Sequence, residues 1–228
     1  MHVLVALLQL ISTIPATTEA LVARFLQRAD PPPSQSVALR HLEASNRRFG
    51  VSGWLDACVT VSGPTFTFTV IREGGSGYIR SKVLRKALES ERDLVLRGDP
   101  AKAQLSADNY DVRFEGTAPA GQAFLHLRPK RRDILLLEGR ALVTDPDADL
   151  ISVEGRLSQT PSFWTRSVDV TRRYARLGGI RVPVETSSVA DVRIAGQSEF
   201  HMQVDYASIN GATVATNTAA AACLPAAK

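Results

Sequence analysis

The second half of the chain, from Tyr110 onward, is a succession of short segments in which apolar and polar residues alternate or β-branched residues are dense. Both patterns are typical of β-strands. Short connections separate the segments, and such connections favour antiparallel neighbours. A sheet of this kind must hide one apolar face, by curling or by packing against helices. The predicted strands are residues 111–116, 121–128, 134–143, 149–157, 164–177, 180–186, 189–195 and 198–209.

The first half mixes helical and strand patterns. Apolar residues at helical spacing predict helices over residues 19–29, 36–49 and 79–97. Phenylalanine and threonine alternate over residues 65–71, which predicts a strand. The glycine-rich segment 73–77 lacks the lysine and hydroxyl pair of a phosphate-binding loop, so we interpret it as a strand-to-helix turn, and a hinge at this turn stays open.

No repeat and no long internal linker divides the chain, so we expect a single domain over residues 21–210. Residues 3–14 form an apolar run with the length of a signal-peptide core, and small residues follow it. No lysine or arginine precedes this run, so an uncleaved leader and a buried first helix stay open as alternatives. We assign residues 1–20 to a signal peptide or membrane leader, and residues 211–228 to a disordered tail.

The chain has two cysteines, Cys58 and Cys223, which is too few for a zinc ribbon or a disulfide-dense scaffold. Because Cys223 lies in the predicted tail, the sequence argues against a structural disulfide, although pairing in an oxidising compartment stays open. Neither cysteine has a Cys-x-x-Cys partner or a neighbouring histidine, so a redox or nucleophilic role has little support.

The charge balance is mildly basic. Lysine and arginine number 27 against 23 acidic residues, a net charge of +4, and the only dense basic cluster is residues 128–132. We interpret this cluster as a solvated hairpin turn, with contact to anionic headgroups or an acidic partner as the alternative. The sequence gives no reason to expect nucleic acid as a partner.

No arrangement of residues indicates catalysis. The histidines, His41, His126 and His201 among them, show no His-Glu-x-x-His spacing, and there is no Gly-x-Ser-x-Gly elbow. The alternating Asp145, Asp147 and Asp149 lack the glycine and distal glutamate of a calcium loop, so they predict an acidic turn. We expect no enzyme activity, no metal and no cofactor.

An ordered set of short motifs resembles the bacterial outer-membrane lipoprotein-sorting proteins, which are related to the LolA and LolB carriers and to RseB-type periplasmic sensors. The resemblance is to a divergent branch and covers roughly residues 40–210. The motifs are Glu73-Gly74-Gly75-Ser76-Gly77 with Ile79-Arg80-x-x-Val83-Leu84, Leu127-x-Pro129-Lys130-Arg131, Leu137-Glu138-Gly139-Arg140-Ala141, Asp145-Pro146-Asp147, Val153-Glu154-Gly155, Pro161-Ser162-Phe163-Trp164, Val182-Pro183-Val184 and Asp191-Val192-Arg193-Ile194-x-Gly196.

This resemblance implies a mainly β fold, a LolA-like unclosed antiparallel half-barrel with helices on its concave face. It implies a periplasmic monomer that holds an acyl chain or a lipidated protein in an apolar cavity and meets an inner- or outer-membrane partner. The alternative is an RseB-like sensory module without transport activity. Candidate ligand-binding residues, each of which also suits simple core packing, are Phe66, Phe68, Val83, Leu84, Leu88, Phe163, Trp164, Tyr174, Met202 and Tyr206.

Overall fold

One antiparallel sheet of 11 strands dominates the computed structural model, which describes residues 16–28, 31–97, 100–214 and 217–224. The strand order is β3-β2-β1-β10-β9-β8-β7-β6-β5-β4, with β11 paired to β10, so β3 and β4 are edges and the sheet is not closed. The predicted mainly β, unclosed half-barrel is confirmed. The strands are β1 (Gln35–Asn46), β2 (Val51–Ser62), β3 (Thr65–Gly75), β4 (Tyr110–Ala118), β5 (Gln122–Pro129), β6 (Leu137–Thr144), β7 (Leu150–Leu157), β8 (Thr165–Leu177), β9 (Ile180–Val192), β10 (Gly196–Ile209) and β11 (Ala212–Thr213).

The helices are few, and one of them is continuous over residues 77–96. This long helix consists of α2, a π-helical turn and α3. Within the described ranges, no helix is both long enough and apolar enough to cross a membrane. The helical elements are α1 (Ala16–Gln27), α2 (Gly77–Ile79), the π-helical turn (Arg80–Leu84), α3 (Arg85–Leu96), a 3-10 turn (Pro100–Ala103) and α4 (Thr218–Ala221).

Both larger helices pack on the same side of the sheet, which we call the helix face. Directly paired residues of antiparallel strands point to one side. One such row runs across seven strands and connects the apolar cluster under the long helix with the cluster under α1. The row is Leu42, Met202, Thr186, Arg172, Val153, Ala141 and Leu125.

Each helix buries its apolar side against one end of the sheet. Leu21 and Phe25 of α1 are buried in a cluster built mainly on β4 to β7. Ile79, Leu84 and Leu88 of the long helix are buried against β1, β2 and β3. Fully burying one such side chain contributes about 1.5–3 kcal/mol, so these contacts hold the helices on the sheet.

The helix predicted over residues 36–49 is wrong, because these residues form β1 and the following turn. β1 lies in the middle of the sheet between β2 and β10, and it is buried on both faces over Val37–Arg40. A strand buried on both faces shows no apolar-polar alternation. Its leucines and alanines then fit a helical period by chance.

The other predicted elements agree with the structure apart from their limits. Residues 180–186 and 189–195, predicted as two strands, form β9 and the turn after it. The strand predicted over residues 65–71 continues to Gly75, so part of the glycine-rich segment is strand. The helix predicted over residues 19–29 is α1, which already begins at Ala16, inside the segment assigned to a leader. Residues 3–14 lie outside the described residues.

The structure differs from the predicted disordered tail over residues 211–214 and 217–224. These residues form β11 and α4, and Ala220 of α4 is buried against Val37 and Leu39 on the side of the sheet opposite the helix face. Cys58 and Cys223 form a disulfide with an S–S distance of 2.00 Å. The absence of an apolar period misled the prediction, because a four-residue helix held by a covalent bond needs none.

Candidate binding site

An apolar pocket of about 550 Å³ opens on the helix face, where the long helix begins. One wall is the start of that helix, the second is the β1–β2 hairpin, and the third is formed by β9 and β10. Pockets of this volume with mostly apolar walls are typical of small-molecule sites. The apolar wall residues are Ala44, Phe49, Val51, Tyr78, Ile79, Val83, Ala190, Ala195 and Phe200.

The turn that begins the long helix fixes one wall of the pocket. Gly75 has a φ of +78°, and a side-chain carbon there would lie 2.5 Å from the carbonyl oxygen of Ser52, so this position requires glycine. Ser76 then caps the helix by accepting a hydrogen bond from the backbone N–H of Ile79. The predicted strand-to-helix turn is therefore present, and it presses Ile79 against Gly53 of β2.

The amide and the carboxylate of the pocket have partners within the protein. The Asn46 side chain, which is buried, donates to the carbonyl oxygens of Ala195 and Gln197 and to Ser198 Oγ at 2.8–3.3 Å. Its Oδ1 accepts a hydrogen bond from the N–H of Phe49. Glu199 forms a salt bridge of 2.6 Å with Arg47. Because these groups already have partners, the chemistry left to a ligand is largely apolar contact.

A buried ion pair locks the long helix to the sheet beyond the pocket. Arg40 of β1, whose side chain is 9% exposed, donates from both terminal nitrogens to the carboxylate of Glu91 on α3. Its guanidinium also lies over the ring of Phe66, 5.4 Å from the centroid. Burial alone lowers the pKa of Arg40, but the charge and hydrogen bonds of Glu91 outweigh it, so the pKa is raised.

Tyr206 is the second polar group in this buried region. Its hydroxyl donates a hydrogen bond of 3.2 Å to the carbonyl oxygen of Pro183. Burial raises the pKa of Tyr206 to about 12, and the nearby positive charge of Arg40 opposes the shift. The phenol therefore stays neutral over the physiological range and acts as a hydrogen-bond donor.

The ten predicted ligand-binding residues do not meet in one cavity. Val83 lines the pocket, whereas Phe163 and Trp164 lie on the β7–β8 loop with 74% and 55% of their surfaces exposed. Tyr174 packs against the cluster under α1. The other six lie in the apolar clusters formed by β1, β2, β3, β9, β10 and the long helix, and they are Phe66, Phe68, Leu84, Leu88, Met202 and Tyr206.

Sequence reasoning missed most of the pocket. Phe49 was assigned to a helix, although it follows β1 in a tight turn. Tyr78 lies next to the glycine-rich turn, and Phe200 lies on the same strand face as Met202. Both are apolar residues close to a turn, and that is the sequence signal that marks them. No local pattern connects these three positions, because strand pairing and the packing of the helix start against the sheet bring them together.

Two histidine clusters lie on the opposite side of the sheet. His41 Nδ1 lies 2.6 Å from Asp56, a buried carboxylate that also accepts hydrogen bonds from Arg72. Ser187 Oγ lies 2.9 Å from His201 Nδ1, and Glu185 lies 3.9 Å from that same nitrogen. A catalytic triad places the nucleophile and the carboxylate on opposite ring nitrogens, so this cluster does not have its geometry.

The acidic turn is held by arginines. Asp149 accepts hydrogen bonds of 3.0 and 2.6 Å from Arg176, and Arg28 and Arg181 lie within 4 Å of it. The hydrogen bonds from Arg176 hold the pKa of Asp149 below its usual value. In the described ranges, histidine, cysteine and acidic residues do not converge on a point where a metal ion would be held.

The fold and the pocket together define a class of protein, an unclosed antiparallel half-barrel with an apolar pocket on its helix-covered face. No protein-family model matches the chain, and no curated protein matches it. The chain is similar to a solved DUF1329 family protein from Desulfovibrio piger ATCC 29098, with 9% sequence identity and a TM-score of 0.39. The similarity covers 82% of this chain and 89% of the other, and at this TM-score it supports no conclusion about function.

Proposed function

We propose that this protein is a non-enzymatic, periplasmic binding protein that holds an acyl chain, free or attached to a protein, in the apolar pocket. The observation that carries the proposal is the pocket itself, a largely apolar space of about 550 Å³ in which the Asn46 amide and the Glu199 carboxylate already have partners. A hydrocarbon chain gains from such walls without any hydrogen bond. The motif resemblance to lipoprotein-sorting proteins points to the same class of ligand.

The size of the expected affinity follows from the buried hydrocarbon. Each methylene that leaves water contributes about 0.8 kcal/mol. Roughly ten buried methylenes would contribute about 8 kcal/mol, which corresponds to a dissociation constant of about 1 μM before the entropic costs of binding. The entropic costs of binding subtract from this gain, so micromolar is the tightest affinity that ten buried methylenes support, which suits a carrier that must release its ligand.

Filling the pocket should abolish this binding. We expect Ala190→Trp, which places an indole in the pocket, to weaken binding of a fluorescent fatty acid at least about tenfold, because the indole occupies space that the acyl chain would fill. Val83→Gln should weaken it through a polar group in the wall. Probe fluorescence titrations measure both effects.

Val189→Trp is the matched control, because Val189 precedes Ala190 on β9 and points to the opposite side of the sheet. Thermal unfolding by circular dichroism shows which variants retain the fold. If the wild-type protein binds no probe and native mass spectrometry finds no lipid, the carrier proposal is wrong. Equal loss of binding in Val189→Trp and Ala190→Trp would also contradict it.

A second candidate is an RseB-like interaction module, and one observation favours it. Six of the ten predicted ligand-binding residues are packed into the apolar clusters of the helix face, as in a sheet that fills its interior with its own side chains. A lipid-free protein that nevertheless recovers one membrane protein in a pulldown would support this candidate over the carrier.

A further inference from the structure

One end of the half-barrel carries most of the exposed apolar surface. The antiparallel strands alternate in direction, so the β1–β2, β5–β6, β7–β8 and β9–β10 connections and the start of the long helix all lie at this end. We call it the rim. Ten large apolar residues are exposed in the described residues, and the six on the rim are Phe49, Tyr78, Ile134, Phe163, Trp164 and Ile194.

Contacts between the connections make the rim a continuous surface. The N–H of Arg193 donates a 2.9 Å hydrogen bond to the carbonyl oxygen of Trp164, which joins the β9–β10 turn to the β7–β8 loop. The Asn46 amide joins the β1–β2 hairpin to Ala195 at 2.9 Å. Arg132 and Phe163 border one surface depression, so the β5–β6 connection is continuous with the same loop.

The rim also carries an excess of positive charge. Three of its carboxylates are paired, since Glu199 contacts Arg47 at 2.6 Å, Asp191 contacts Arg166 at 3.5 Å and Asp133 contacts Arg131 at 3.3 Å. Asp108, in the segment that precedes β4, is exposed and forms no salt bridge in the described ranges. Three further arginines are exposed and form no salt bridge with any residue in the described ranges. They are Arg48, Arg132 and Arg193.

The basic cluster of residues 128–132, interpreted from sequence as a solvated turn, therefore lies beside exposed aromatic rings. Lys130 and Arg131 are held inward, because each donates to a residue of the segment that precedes β4. Arg132 is exposed, with one long hydrogen bond of 3.4 Å from its Nε to the carbonyl oxygen of Ser158, and the Arg193 guanidinium lies 4.8 Å from the centroid of the Phe163 ring. An arginine stacked on an aromatic ring keeps its charge available to anions.

We propose that the rim docks on the surface of an anionic phospholipid bilayer. Aromatic side chains settle at the level of the headgroups, where an apolar ring and a polar edge are both accommodated. Arginines near such a surface are attracted by its negative potential. Six exposed apolar residues beside three arginines without a carboxylate partner complement an anionic bilayer, whose interface accommodates the rings and whose headgroups supply the opposite charge.

The docked orientation has a consequence for the pocket. Phe49 and Tyr78 belong both to the rim and to the pocket wall, so the mouth of the pocket faces the bilayer. An acyl chain would then pass between membrane and pocket without crossing water. This consequence rests on the proposed function, whereas docking itself does not.

Vesicle flotation with the purified full chain tests the proposal. We expect binding to vesicles of phosphatidylcholine and phosphatidylglycerol in equal parts, and much weaker binding to pure phosphatidylcholine. The variant Phe163→Ser/Trp164→Ser should lose about tenfold in vesicle affinity through lost interfacial contacts, and Arg132→Glu/Arg193→Glu should lose at least as much through charge. Added salt should weaken the binding, because the charges are exposed.

Matched control variants distinguish a specific effect of the rim from a general effect of exposed apolar residues or of net charge. Ile71→Ser/Leu96→Ser removes two exposed apolar residues away from the rim, and Arg97→Glu/Arg113→Glu makes the same charge change elsewhere. Both controls should bind vesicles like the wild type. Equal losses in rim and control variants, or binding indifferent to phosphatidylglycerol, would overturn the proposal and leave a protein partner as the occupant of the rim.

The two proposals can fail separately. The rim variants should still bind a soluble fatty-acid probe in the absence of vesicles, because residues 132, 163, 164 and 193 do not line the pocket. Loss of probe binding with vesicle binding intact would contradict the carrier proposal alone.

Discussion

Arg40 is the residue on which the attachment of the long helix depends most. Its charge is buried, its Nε makes no hydrogen bond in the described structure, and its only carboxylate partner there is Glu91. A buried charge stripped of its partner is strongly unfavourable, whereas a buried pair replaced as a whole by apolar groups often costs nothing. The pair therefore specifies the position of the helix more than it adds net stability.

We expect Glu91→Ala to lower the free energy of unfolding by about 2–3 kcal/mol, at the lower end for a buried pair because Glu91 is 40% exposed. Urea denaturation followed by circular dichroism measures this change. The control is Glu89→Ala, which breaks an exposed 3.3 Å pair with Lys86 on the same helix and should cost about 0.5 kcal/mol.

The double variant Arg40→Met/Glu91→Met tests the interpretation itself. It removes both charges and leaves an apolar contact in their place, so it should recover most of the stability lost in Glu91→Ala. A double variant as unstable as the single one would mean that the ion pair contributes through its hydrogen bonds, not through the cost of an isolated charge.

At the scale of elements, strands β6 and β7 approach each other unusually closely. Gly139 and Gly155 are paired across them on the helix face. A side-chain carbon on Gly139 would lie 2.1 Å from the carbonyl oxygen of Glu154, which is far inside contact distance. The close approach is therefore possible only because both positions are glycine.

Gly139→Ala should lower the free energy of unfolding by about 2–3 kcal/mol, because the backbone of β7 must shift to admit the methyl group. Gly116→Ala on β4 is the control, since nothing lies within 4 Å of the added carbon, and it should change stability by less than about 0.5 kcal/mol. If the two variants had the same denaturation midpoint, β6 and β7 would be able to move apart without a loss of stability.

The elements also show which parts of the fold can be predicted from the sequence. β4, β5 and β6 were predicted because most of their residues alternate between a more buried and a less buried side. β1 was missed because both of its faces are covered, and α4 was missed because a disulfide, not an apolar stripe, holds it. An element with one buried face leaves a periodic pattern of apolar residues in the sequence. An element that is buried on both faces, or held by a covalent bond, leaves no such pattern.

At the scale of the whole molecule, the disulfide joins residues that are 165 positions apart. Closing so long a loop restricts the unfolded chain, for which the usual gain is about 2–4 kcal/mol. We expect Cys58→Ser/Cys223→Ser to lose that amount in urea denaturation, with unfolding no longer sensitive to a reducing agent. A variant as stable as the wild type would show that the bond serves only to hold α4.

The candidate site is also a property of the whole molecule. Val83 was the only predicted ligand-binding residue that the structure places in the pocket, whereas Phe49, Tyr78 and Phe200 come from a turn, a helix start and a distant strand. Sequence periodicity predicts which side of a strand is apolar. It does not predict where the apolar sides of two neighbouring elements are too far apart to touch and so leave a pocket between them.

The pairing of β1 with β10 has a consequence for how the chain acquires its structure. β1 to β3 are consecutive neighbours, and so are β4 to β10, so each group can assemble from contacts local in sequence. In the sheet, the two groups are joined by the pairing of β1 with β10, which runs from Ser36 with Ile209 to Asn46 with Ser198 and connects residues near opposite ends of the domain. Contacts so distant in sequence form slowly. The two groups can therefore unite into one sheet only after β10, the last long strand, has been synthesised.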